Sequence, residues 1–96
     1  MAEPTHIQYR SNGSYVNHYH FHKAGDILPI HTHSVDHDGM LIKGRIKVIT
    51  PHQGEQELPV GHKVTLHTPH PHGFQALEDD THLINVFHDP QFKRGK

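Results

Sequence analysis

Short apolar runs alternate with turn residues along the whole chain. Turn signals recur at Ser11-Asn12-Gly13, Ala24-Gly25-Asp26, Asp38-Gly39, Lys43-Gly44, 51–54, 59–61 and Glu78-Asp79-Asp80. Between them lie stretches rich in Val, Ile, Tyr, Phe and Thr, residues that fit a pleated, half-buried surface. No window sustains a 3.6-residue apolar period, and Pro or Gly interrupts nearly every candidate helix. The rhythm predicts an all-β sandwich or barrel. Strands are expected at 5–9, 15–23, 28–33, 37–43, 45–50, 56–58, 62–66, 72–77 and 81–88. The pair 37–43 and 45–50 reads as a hairpin around Gly44. The polar, basic tail at 91–96 is expected to fray. With no linker and no low-complexity stretch, residues 1–96 read as a single domain.

Composition sharpens this in three ways. A chain of 96 residues buries roughly 60–65% of its unfolded surface, so the core is small and a metal or a partner copy would supplement it. Nine basic residues against ten acidic ones give a net charge of −1, so no one-signed field exists to attract nucleic acid or an anionic membrane. There is no cysteine, which excludes disulfides and thiolate metal sites. The N-terminus lacks the basic and apolar regions of a signal peptide, and no apolar run approaches a membrane span. A soluble, cytoplasmic protein is expected.

Histidine changes the picture most. There are fourteen, spread from His6 to His88 rather than run together as in a purification tag. Three of them, His31, His33 and His37, fall between the turn glycines Gly25 and Gly44. On an extended strand His31 and His33 project from one face, and His37 can return to it from the next strand. Convergent neutral imidazoles on a rigid scaffold are what a divalent transition metal requires. Asp36 and Asp38 flank His37 as alternative ligands, as groups orienting an imidazole, or as plain turn residues, the reading preferred for Asp38. Four more histidines, His62, His67, His70 and His72, follow Gly61.

These spacings carry a resemblance. Gly25-x5-His31-x-His33-x3-His37-x6-Gly44 looks like the first motif of the cupin superfamily (25–44), with histidine where that motif usually has glutamate. Gly61-x5-His67-x-Pro69-x2-His72 is similar to its second motif (61–76), although His67 stands where Pro is usual and Pro69 where Gly is usual. The resemblance implies a double-stranded β-helix (jelly-roll) barrel, expected as a homodimer, with one divalent transition metal held by His31, His33, His37 and His72. His70 is the rival for the fourth place, since it shares a strand face with His72. Manganese or iron is favoured by the resemblance, with nickel, zinc or copper also suited.

For the strand before Gly25, alternation alone points Tyr15, Asn17, Tyr19 and Phe21 inward and His18, His20 and His22 to water. The resemblance implies the opposite register. It places His22 in the cavity and His20 there as a catalytic acid/base group. Leu41, His67, Phe74 and His88 complete the expected substrate cavity, with Gly39 leaving room beside the metal. Met40 and Ile42 point the other way, into the layer between sheets or a dimer contact. His6, His52, His62 and His82 read as surface.

An all-histidine set leaves the ion its full dipositive charge and favours an anionic small-molecule substrate. The leading expectation is an oxidoreductase of the dioxygenase type. Non-redox Lewis-acid lyase or isomerase chemistry is the alternative, and a non-catalytic ligand- or metal-binding module is a third.

Overall fold

The computed structural model describes residues 2–31, 37–51, 54–66 and 71–88, apart from the side chains of Ser11 and His88. Nine strands are present among them: β1 (Thr5–Ser11), β2 (Ser14–Phe21), β3 (Ile27–His31), β4 (His37–Lys43), β5 (Ile46–Thr50), β6 (Gly54–Leu58), β7 (Lys63–Leu66), β8 (His72–Ala76) and β9 (Thr81–His88). They form a five-stranded sheet in the order β1-β2-β9-β4-β7 and a four-stranded sheet in the order β3-β8-β5-β6. All strand pairs are antiparallel. Among the described residues no helix is long and apolar enough to cross a membrane.

The two-residue turn between β1 and β2 follows from its sequence. Asn12 (φ 51°) and Gly13 (φ 82°) both take positive φ, the conformation a tight antiparallel hairpin demands and Asn-Gly tolerates best.

The expected hairpin around Gly44 does not form. β4 pairs with β7 and β9, whereas β5 pairs with β6 and β8, so the chain changes sheets at Gly44. A lone glycine is too short to reverse a strand onto its neighbour, but it can turn a corner. Gly44 does so at φ +91°, pressed so close to β9 that an added Cβ would lie 2.9 Å from the Thr81 Cα. The buried Thr81 hydroxyl closes this corner by donating to the Glu78 carbonyl at 2.8 Å and accepting the Arg45 N–H at 3.4 Å.

Between the sheets lies one apolar cluster. Tyr19 and Phe21 from β2, Leu83 from β9 and Leu41 from β4 meet Ile46, Leu58, Phe74 and Ala76 from the opposite sheet. Phe21, Phe74, Leu41, Ile46 and Leu83 are fully buried, and burying a side chain of this size stabilises the fold by about 1.5–3 kcal/mol. The remaining alternate positions face outward, including Ile42, Ile7 and Tyr9. Met40 and Ile42 therefore lie on the outer face of the five-stranded sheet, not between the sheets. Asp38, expected in a turn, is a β4 residue whose carboxylate accepts the Thr65 hydroxyl at 2.9 Å.

The turn into β3 is held by Asp26, whose buried carboxylate accepts the backbone N–H groups of Ala2 and Lys23, both at 3.2 Å. The Ala2 N–H, followed by that of Lys23, holds this carboxyl below the ordinary carboxylate value. A depressed folded-state pKa stabilises the fold above the unfolded value and loses that contribution as pH falls through the folded one. Asp26→Asn is therefore expected to lower the urea midpoint at pH 6 and to flatten its decline between pH 5 and pH 2. An unchanged acid limb would assign that decline to other groups.

Candidate metal centre

A β-bulge places the first histidine. β3 pairs with β8 at Leu28↔Phe74 and again at His31↔His72, with two residues between them on β3 against one on β8. Strict alternation would turn Leu28 and His31 to opposite faces, and the extra residue brings both inward. Pro29 sits in the bulge on an edge strand, where its missing N–H costs no ladder bond. The approach is close: a Cβ added at Gly73 would lie 2.9 Å from the Leu28 carbonyl oxygen.

The bulge also fixes the His31 ring. Its Nδ1–H donates to the Pro29 carbonyl oxygen at 2.6 Å. A carbonyl only accepts, so the proton is on Nδ1 and the lone pair is on Nε2, the arrangement that metal-ligating imidazoles share.

His72 stands opposite His31 in the ladder, with ring centroids 5.0 Å apart. His37 comes from β4 in the other sheet, its centroid 5.1 Å from that of His72. Both are 3% exposed. His37 stacks on Phe87 at 4.3 Å, and His72 meets the edge of Phe74 at 6.0 Å. Three imidazoles from two sheets thus meet between aromatic walls. Three of the four expected ligands, His31, His37 and His72, are brought together. His33, together with its neighbours 32–36, lies outside the described residues, as do His67 and His70 and the side chain of His88.

Leu41 and Phe74 do face inward, as fully buried members of the core. The space expected beside Gly39 is filled. An added Cβ there would lie 3.1 Å from the Asn85 Oδ1. Asn85 is a fully buried side chain on the inner row of β9, and neither its Oδ1 nor its Nδ2 has a hydrogen-bond partner among the described residues. A buried amide left unsatisfied costs about 1–3 kcal/mol, so this one needs a reason to be there. Sequence reasoning passed over it, although the alternation Leu83-x-Asn85-x-Phe87 puts it on the inward face.

His20 and His22 are not in the cavity. Asn17, Tyr19 and Phe21 occupy the inner row of β2, because burying two aromatic rings outweighs burying imidazoles that need partners. In register, Tyr19 faces Leu83 and Phe21 faces Thr81, which leaves His20 opposite His82 on the outside. There His20 Nε2 and His82 Nε2 approach the Asp80 Oδ1 at 2.7 and 3.0 Å, and His18 Nε2 lies 3.0 Å from His82 Nδ1. His22 is exposed, with its Nε2 3.0 Å from the Thr5 hydroxyl oxygen. The Lys43 ammonium, then His82 and His20, hold the Asp80 carboxyl well below the usual carboxylate range. Burial, reinforced by His82 and His20, lowers the pKa of His18. The group His20, Asp80 and His82 is compatible with a metal ion, since their ligand atoms all lie within 4.8 Å of one another.

No protein-family model matches the sequence, and no curated protein does. Solved structures do. An RmlC-like cupin protein from Desulfovibrio desulfuricans superposes with a TM-score of 0.74 at 20% identity, over 88% of this chain and 82% of that one. KdgF from a Halomonas species gives 0.72 at 22% identity, over 82% of this chain and 72% of that one. The DMSP lyase DddQ from Ruegeria pomeroyi gives 0.72 at 15% identity, over 88% of this chain but only 47% of its own. This chain has the double-stranded β-helix fold.

Proposed function

We propose that this protein holds one divalent transition metal inside the barrel and uses it on a small anionic molecule, most directly as a dioxygenase. The observation that carries the reading is the convergence of His31, His37 and His72, with the His31 tautomer fixed by Pro29. The donor set suits manganese, iron, nickel, zinc or copper, and His33 would complete it. A dication held only by neutral imidazoles keeps its full charge, so it supplies a Lewis-acidic, anion-attracting centre and, as iron or manganese, a redox couple.

The chain's own residues set the rest. Phe74 and Phe87 wall the site against water on the sides that they contact. Asn85 offers a donor and an acceptor to a bound substrate, whose polar groups would satisfy the amide. Lyase or isomerase chemistry requires a proton carrier within reach of the substrate. The expected carrier, His20, is outside. Tyr19 faces inward, but burial raises its pKa, so it keeps its proton and is a poor base. Among the described residues, that favours oxidation over proton abstraction. The fold-level likeness to a DMSP lyase keeps the lyase reading as the alternative.

The test is turnover with iron- or manganese-loaded protein and a panel of small acids and diketones in an oxygen electrode. Oxygen uptake matching substrate loss is expected. Turnover that persists under nitrogen with zinc in place of iron would transfer the site to lyase or isomerase chemistry. Tight ligand binding without turnover would make it a binding module.

A further inference from the structure

We propose a second metal site, for zinc(II) or a similar borderline divalent ion, on the outer face of the five-stranded sheet, formed by His20, Asp80 and His82. It is separate from the barrel centre. His20 and His82 occupy outward positions on β2 and β9, with the inward-facing Tyr19 and Leu83 beside them.

The geometry suits tetrahedral coordination with one open position. Bonds of about 2.0–2.1 Å from a zinc ion place neighbouring ligand atoms about 3.3 Å apart. Here two imidazole Nε2 atoms lie 2.7 and 3.0 Å from one carboxylate oxygen, so each is already near that spacing from the carboxylate, and an ion enters once the two rings turn out of their stack. The sheet register sets His20 directly opposite His82, and their rings stack at 4.1 Å, 14° from parallel. Two imidazoles and one carboxylate are a common donor set for open zinc sites.

The surroundings orient each ligand. Lys43 Nζ holds the Asp80 Oδ2 at 2.6 Å, which leaves Oδ1 for the imidazoles. Asp80 takes a left-handed φ of 57°, and its N–H donates to the His22 carbonyl at 3.2 Å. His18 Nε2 lies against the far nitrogen of His82, the place where a ligating imidazole donates its other N–H. The His20 and His82 side chains are 31% and 24% exposed, so a hydrated ion has access without opening the fold. The competing arrangement is a purely hydrogen-bonded cluster in which both imidazoles donate to Asp80.

The full chain, dialysed against chelator, is titrated with zinc chloride by calorimetry while its imidazole signals are followed by NMR. The His20 and His82 signals should shift with an equivalent of zinc separate from the one that moves His37. His82→Gln should weaken the outer equivalent by more than about tenfold, the scale on which metal sites respond to loss of supporting groups. It should leave the barrel equivalent in place, and His37→Ala should do the reverse. Outer histidine signals that stay fixed while zinc saturates the protein would overturn the site. So would an unchanged zinc stoichiometry in the His20→Gln, His82→Gln double variant.

Discussion

Replacing His37 by alanine is expected to abolish metal binding in the barrel and, with it, the stability that the metal contributes. His37 is the proposed ligand that would join the sheets. It reaches from β4 to within 5.1 Å of His72 on β8, at 3% exposure. With only β3 and β8 supplying imidazoles, the ion would be held from one side. An ion present at a hundred times its dissociation constant adds about 2.7 kcal/mol to folding. In a domain of this size that corresponds to a melting shift of about 10–20 °C. The informative quantity is the difference in melting temperature between metal-loaded and stripped protein, which cancels the packing lost with the ring. It should be large for the parent and near zero for the variant. An equal difference in both proteins would remove His37 from the site.

Phe74→Ala should give the largest loss of stability in the metal-free protein. Phe74 is fully buried at the centre of the core and stands on the strand that carries His72. Truncating a buried phenylalanine costs about 3–5 kcal/mol, the transfer term plus the cavity left behind. Domains of this kind hold about 5–15 kcal/mol in all. The ring also meets His72 edge-on at 6.0 Å, so its removal should loosen that imidazole and weaken metal binding. Urea denaturation of stripped protein measures the first effect, and metal titration the second. A loss below about 1 kcal/mol would mean that the ring is not part of the close-packed core described here.

How far the sequence foretold this molecule varied with the physics involved. Periodicity and turn residues located every strand, and β4 and β9 fall at their expected limits, because the patterns there are local. The corner at Gly44 misled, since the same residues serve a hairpin or a change of sheet. The difference lies in how closely Gly44 approaches Thr81, thirty-odd positions away in sequence. For β2, plain alternation was right and the register implied by resemblance was wrong: Tyr19 and Phe21 outcompete His20 and His22 for the interior. The spacing singled out His31, His37 and His72, whose rings the fold brings together, but not the means that aims His31. The bulge at Pro29 is a pairing event between two strands, invisible in either alone. Asn85 and the outer cluster were missed for a related reason. A polar residue in a strand shows its role only when its neighbours across the sheet are known, as with His82 beside His20 and Asp80.

Elemental analysis tests the central claim most directly, with protein purified without added metal or chelator and compared with the His31→Ala, His72→Ala double variant. The parent should carry at least one equivalent of a divalent transition metal per chain. The double variant should carry one equivalent less while keeping its β-sheet circular dichroism. A parent without stoichiometric metal, or a folded double variant with the parent's full content, would contradict a metal centre in the barrel.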